Sequence, residues 1–284
     1  MSVDEMRHPL TVRERPEAGP VEAVIFDWGG TLTPWHTIDL GQQWRVFARE
    51  VHGIPIESDE VPQADLDRAQ ELAERIHAVE AHAWRQVRDE QRGAHLDDIL
   101  AEAGIDPRED RHHVALAAYR RFWEPHTHTD PQVRPLWEGL RARGLKVGVL
   151  SNTIWSGEYH REIFARDGVL DLVDGDVYSS EIKVVKPHRE AFEAAAAAVG
   201  VPVSHAVYVG DRLFEDVLGS QEVGMRAIWV PHSDIPADQQ VTVDVEPDGV
   251  AHELLEPHGV HPDLAEQAVD VDVRARRQTP DHVV

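Results

Sequence analysis

Four short apolar runs do most to limit what this chain can fold into. They are residues 24–26 (VIF), 146–150 (KVGVL), 206–209 (AVYV) and 227–230 (AIWV). Each is rich in valine or isoleucine, has the length of a strand, and is apolar enough to be covered on both faces. From residue 130 onward, segments of helical period fall between them, at 133–143, 188–199 and 216–223. Strands alternating with helices specify a parallel sheet with right-handed crossovers. In such a sheet ligands gather outside the carboxyl ends of the strands. The residues there are polar: Asp27 after the first run, Ser151 and Asn152 after the second, Gly210 and Asp211 after the third, with Asp216 five residues on. Lys186, followed by Pro187, precedes the helix at 188–199. The glycines at 29 and 30 let the backbone turn sharply beside Asp27, and Thr31 adds a hydroxyl and an amide.

Between the first run and the rest, residues 34–129 carry helical periodicity throughout, in sets such as Trp44, Val46, Phe47 and Val51, then Leu66 to Ile76, Val79 to Val87, Leu96 to Ala103, and Val114 to Phe122. This predicts a four- or five-helix insertion. Residues 1–20 read as a loosely ordered arm and 258–284 as a polar tail, leaving 21–33 and 130–257 as the core. A last strand near 241–245 and a helix near 250–255 complete the expected elements.

Composition narrows the chemistry. With no cysteine, thiolate catalysis, disulfides and cysteine-based zinc sites are excluded, which fits a cytoplasmic setting. A formal net charge of −24 opposes binding to nucleic acid and to anionic membranes. It also opposes a phosphorylated substrate, so a phosphate site needs local positive charge or a metal. Lysine occurs only at 146, 183 and 186. No run reaches membrane-spanning length, and the first residues lack the apolar core of a secretory leader.

Two or three carboxylates around an open position suit Mg²⁺, and a carboxylate can itself be a covalent nucleophile. Ser151, the amides around residues 29 and 30, and Lys186 are placed to hold phosphate oxygens, the needs of phosphoryl transfer being position and charge. Taken singly, each residue has a plainer use. Asp27 could cap a turn, Ser151–Asn152 a helix, Asp216 its own helix, and Lys186 could be an ordinary loop lysine. Order and spacing together favour the site.

Those segments resemble the haloacid dehalogenase superfamily. Residues 27–33 (DWGGTLT) are similar to its first motif and 150–153 (LSNT) to its second. Lys186-Pro187 is similar to the third, and Gly210-Asp211 through Asp216 to the fourth. The resemblance implies a doubly wound, Rossmann-like α/β core with an inserted helical cap of the C1 type. It implies Mg²⁺ dependence and an aspartyl intermediate at Asp27. Asp27, the Gly29 carbonyl, Asp211 and Asp216 would serve the metal. Ser151, Asn152, Gly30 and Thr31 would hold the phosphate of a small metabolite, and Lys186 would steady the nucleophile. One departure stands out. The family's phosphatases carry a second Asp two residues after the nucleophile, where this chain has Gly29. Losing such a general acid removes roughly 10²–10⁴ in rate. His36, His126 and His128, near the cap hinges, are candidate substitutes, and Trp28, Trp35 and Trp44 are candidate pocket walls. A Schiff-base route through a cap lysine is closed, because no lysine precedes Lys146. Two other readings stand beside the hydrolase: a binding protein that has lost turnover, and a dehalogenase-like enzyme cleaving carbon–halogen bonds.

Overall fold

The computed structural model describes residues 19–36, 38–55, 61–90, 92–106, 108–231, 240–252 and 254. The sequence-derived arm (residues 1–18 of it) and the tail at 258–284 lie outside the described residues. Six strands, β1 (Ala23–Phe26), β2 (Lys146–Ser151), β3 (Gly175–Tyr178), β4 (Ala206–Gly210), β5 (Arg226–Trp229) and β6 (Gly249–Val250), form one parallel sheet in the order β3-β2-β1-β4-β5-β6. This is the order of a doubly wound fold, whose switch point lies where the winding reverses beside the central strand. Here β1 is that strand, flanked by β2 and β4 with Phe26 opposite both Val149 and Val209.

Alternation along the strands sends residues to two buried faces. Val24, Phe26, Val147, Val149, Val207 and Val209 join one apolar cluster, while Ala23, Ile25, Leu150, Ala206 and Tyr208 join another. Helix α5 (Val133–Ala142) covers the first face through Trp137, which meets Phe26 at 6.0 Å, and α6 (Gly157–Arg166) adds Phe164. Helix α8 (Arg189–Ala198) covers the second face through Phe192 and its alanines, ahead of the short α9 (Gly219–Val223). Each fully buried large side chain contributes about 1.5–3 kcal/mol. A one-turn helix, α7 (Ser179–Ile182), leads into the loop carrying Lys186.

The insertion consists of α1 (Leu40–Val51), α2 (Gln63–Glu90), α3 (Leu96–Glu102) and α4 (Asp110–Trp123), closed by a 3₁₀ turn at Glu124–His126. The two apolar sets at 66–76 and 79–87 belong to one helix of 28 residues, since no glycine or proline separates them. The apolar cluster on the Phe26 face runs on through Trp28 and Leu32 into Trp44, Leu72, Ile76 and Leu100, so the insertion packs directly on that face of the sheet. The second linker is held to the core. Asp130 N–H donates to Leu32 O at 2.8 Å, and Arg166 Nη2 donates to Thr127 O at 2.8 Å.

Near the C-terminal end two expectations fail. Residues 241–245 form no strand, and the edge strand is the two-residue β6, after which residues 251 and 252 are not helical. Among the described residues no strand pairs with the alternating valines at 241, 243 and 245, and Val241 is exposed. Among the described residues no helix is long and apolar enough to cross a membrane.

Candidate active site

Asp27 follows directly on β1, and its N–H donates to Val209 O at 2.8 Å, extending the ladder toward β4. That places its carboxylate beside the end of β4, where Asp211 follows Gly210. The third acid arrives from a wide helical turn, Leu213–Leu218, of the π type. Such turns cluster at functional sites. Asp216 does not cap its helix from outside, as the sequence allowed. It lies within that turn, and its Oδ2 accepts the Arg212 N–H at 2.9 Å. Gly210 makes room for it: a Cβ there would stand 2.4 Å from the Asp216 carboxylate.

Oxygens of Asp27, Asp211 and Asp216 all lie within 4.8 Å of one another, and all three residues are buried. Lys186 reaches into the same group. Its Nζ stands 2.8 Å from Asp27 Oδ1 and 2.7 Å from Asp216 Oδ1, and donates to Tyr208 Oη at 2.8 Å. Burial disfavours its charge, but Asp216 and Asp27 outweigh burial and hold the ammonium above its ordinary pKa. Asp27 is shifted upward too. Burial raises its pKa; Lys186 opposes the rise and Asp216 adds to it. Three buried carboxylates gather here, two of them in contact with the Lys186 ammonium. A divalent cation would offset their charge. Mg²⁺ holds oxygens at about 2.0–2.1 Å, so oxygens that share it sit up to about 4.2 Å apart. The three carboxylates need close only slightly to meet that, and the donor set of hard oxygens fits.

Other sequence candidates are distributed unevenly. Ser151 ends β2, buried, at the same edge of the sheet. Thr31 Oγ1 donates toward Asp211 Oδ1 at 3.5 Å, bracing a carboxylate. Gly30, at φ +85°, shapes the loop. Its N–H is spent on Thr33 O at 2.8 Å, so it is not an open phosphate donor. Asn152 is committed as well: its Oδ1 accepts the Lys186 N–H at 2.8 Å and its Nδ2 donates to Lys186 O at 3.1 Å. It fixes the lysine's backbone, which its position after a strand could not reveal. Gly29 is half-buried, and a Cβ built on it meets nothing within 4 Å.

Of the hinge histidines, His36 and His126 face each other, Nδ1 to Nδ1 at 2.9 Å, and His128 lies 3.7 Å from Asp167. Burial, then the neighbouring His36, hold His126 below the ordinary histidine pKa. Of the tryptophans, Trp44 is fully buried inside the insertion, Arg212 lies over the Trp35 ring at 5.6 Å, and Trp28 meets Trp155 edge-on at 5.7 Å and His160 at 4.7 Å.

Tyr208 escaped sequence reading. In AVYV it looks like one more apolar strand residue. Yet its hydroxyl accepts from Lys186 and donates to Leu150 O at 2.9 Å, so it fixes the ammonium from below. Burial first, then Asp216, Asp27 and Asp211, keep it a neutral phenol. Its place three residues before Asp211 was the available signal. Glu215 is half-buried, its pKa raised by burial against the pull of Arg212.

Comparison with known proteins agrees with this geometry. The family model for haloacid dehalogenase-like hydrolases matches residues 21–224. The glyceraldehyde 3-phosphate phosphatase of Methanopyrus kandleri is 30% identical over 210 residues, 74% of this chain and 84% of that protein. The phosphoserine phosphatase of Thermus thermophilus is 30% identical over 148 residues, 52% of this chain and 57% of the relative. Among solved structures, a 2-haloacid dehalogenase from Pseudomonas syringae pv. Tomato superposes with a TM-score of 0.56 at 21% identity, covering 88% of this chain and 99% of the other. That likeness is one of fold. The matched segment takes in the strand ends, the lysine loop and all three acids, and the chain belongs to the haloacid dehalogenase-like hydrolase family.

Proposed function

We propose that this hydrolase releases phosphate from a small phosphorylated metabolite, using Mg²⁺ and a covalent intermediate on Asp27, with the helical insertion acting as a cap. One observation carries the reading: the buried group of Asp27, Asp211, Asp216 and Lys186 gathered beside the ends of β1 and β4. The phosphatase names of two relatives, similar across much of the chain, support the substrate class.

In this reading Asp27 Oδ attacks phosphorus in line with the leaving oxygen. The P–O bond to that oxygen breaks, and the electron pair departs with it. Water then attacks the aspartyl phosphate, freeing inorganic phosphate and returning the carboxylate. Lys186, already within 2.8 Å of Asp27, keeps the nucleophile aimed and offsets charge on the phosphoryl oxygens. Asp27, Asp211 and Asp216 would hold the Mg²⁺, whose contribution is to bring an anionic phosphate into an acidic pocket. Ser151 at the β2 end is placed for a further phosphate oxygen. Proton delivery to the leaving group is the weak point, since Gly29 has no side chain. Aryl and acyl phosphates, whose leaving groups need no proton, are therefore the preferred substrates.

The test is phosphate release from an aryl phosphate with Mg²⁺. Asp27→Asn should lower kcat by roughly 10⁴-fold or more, while the fold persists because Lys186 keeps Asp216 as partner. Activity surviving this substitution would sink the reading. The bare position at Gly29 also favours a second reading, a phosphate-binding protein without turnover. Tight Mg²⁺-dependent binding of beryllofluoride with no hydrolysis of any aryl or acyl phosphate would select it.

A further inference from the structure

A second buried carboxylate lies in the insertion, away from the charge cluster. Glu80 on α2 is only 6% exposed. Its Oε2 accepts the Trp44 Nε1–H at 2.7 Å, and its two oxygens accept from Gln43 Nε2 at 3.3 and 3.2 Å. Gln43 Oε1 in turn accepts the Trp123 Nε1–H at 2.9 Å. From Trp123 the contacts continue to the Trp155 ring at 5.2 Å. The Trp155 Nε1–H donates to Tyr119 Oη at 3.0 Å, and Tyr119 stacks back on Trp44 at 5.1 Å. Glu80, Gln43, Trp123, Trp155, Tyr119 and Trp44 thus close a ring of six side chains. Five come from α1, α2 and α4. The sixth, Trp155, belongs to the loop after β2 and packs edge-on against Trp28, the residue next to Asp27.

The donor and acceptor roles leave one arrangement. An indole N–H can only donate, so Trp123 fixes the Gln43 oxygen, and Gln43 must then point its NH₂ at Glu80. Glu80 faces donors from both sides. His77, half-exposed, lies 3.8 Å away. An apolar residue of the same size would fill this volume at lower desolvation cost. What an apolar residue could not do is fix the rotation of Gln43, and through it the placement of Trp123 and Trp155.

We propose that Glu80 is a positioning residue. Through Gln43 and Trp123 it sets where Trp155 stands against Trp28, the residue next to Asp27, and so the room left beside Asp27 for the non-phosphate part of the substrate. This rests on the phosphatase reading for its kinetic test alone.

Glu80→Gln turns an acceptor into a donor facing Gln43. KM for an aryl phosphate should rise about tenfold while kcat stays within about twofold, and the indole N–H resonances of Trp28 and Trp155 should shift. The exchanged pair Gln43→Glu with Glu80→Gln restores every donor–acceptor match. Gln at 80 accepts from Trp44 and donates to Glu at 43, which accepts from Trp123. KM and resonances should return toward those of the parent. Should Glu80→Gln alone fail to fold, Trp123→Phe removes the N–H donor to Gln43 together with part of the ring, and should give the same KM rise and Trp155 shift. A lower Tm with unchanged KM and unchanged Trp28 and Trp155 resonances would overturn the proposal and leave Glu80 a stability residue. If the parent hydrolyses nothing, the phosphatase reading falls instead, and the two resonances alone decide: shifts in the single variant, reversed in the exchanged pair, support the positioning role, and their absence overturns it.

Discussion

The core and the helical insertion each bury carboxylates, and they treat them in opposite ways. In the insertion, Glu80 accepts from the neutral N–H groups of Trp44 and Gln43 on both of its oxygens. In the core, Asp27 and Asp216 share the Lys186 ammonium, and Asp211 stands within reach of both. A saturated carboxylate fixes geometry, whereas an undersaturated cluster recruits a cation and then an anion. Burial alone does not separate structure from chemistry, since Glu80 and Asp27 are equally hidden, each 6% exposed. The balance of donors and charge does separate them.

The sharpest way to break that contrast is to remove the lysine. Lys186→Met keeps much of the side-chain volume but leaves Asp27 and Asp216 buried together without a cation. The loss should be about 3–5 kcal/mol, read as a lower urea midpoint at neutral pH. The matching cut in the insertion, Glu80→Gln, mismatches one neutral hydrogen bond and should cost about 1–3 kcal/mol. If Lys186→Met cost no more than Glu80→Gln, the core group would be no more strained electrostatically than the insertion's, and the distinction would fail.

Much of this contrast could be read from the chain, and the unreadable part has a physical reason. The strand ends announced the core site because a parallel sheet of known winding puts all carboxyl ends on one edge, so Asp27, Ser151 and Asp211 needed only a period and an order. Lys186 depended on spacing within a loop, and Tyr208 on knowing that its face of β4 looks toward that loop. How the polar groups of Asn152 and Gly30 are spent is decided by partners 34 and 3 residues away. Glu80 gave no signal at all. On a helix with acids at positions 71, 74 and 80, nothing marks the one that turns inward until α1 and α4 are packed around it. The strand expected at 241–245 failed because alternation of valines describes a strand only if a neighbour exists to pair with it.

Metal response sharpens the comparison next. Mg²⁺ at a hundred times its Kd should stabilise the parent by about 2.7 kcal/mol, measured as a rise in Tm. Asp211→Asn should lose most of that response, whereas Glu80→Gln should keep all of it, because its carboxylate lies in a separate site. An Asp211→Asn protein that retained the full Mg²⁺ shift would place the ion elsewhere.

The smallest effect tests what the core cluster lacks. Gly29 is not among the glycines held in the left-handed region, and a Cβ there meets nothing within 4 Å, so neither backbone nor packing demands glycine. Neighbouring Gly30, at φ +85°, is demanded. Gly29→Asp would therefore be accepted, and it would add a carboxyl group two residues from the nucleophile. The nearby negative charges would raise its pKa and favour the protonated form that a general acid needs. A well-placed acid is worth roughly 10²–10⁴; one added without supporting contacts should give about tenfold in kcat/KM on an alkyl phosphate. An aryl phosphate, whose leaving group needs no proton, should gain little. The ratio of the two rates is the measurement, because it cancels any change in metal affinity or folded fraction. An equal change on both substrates would mean that proton delivery is not what the bare position costs, and that the cluster's charge balance alone limits the rate.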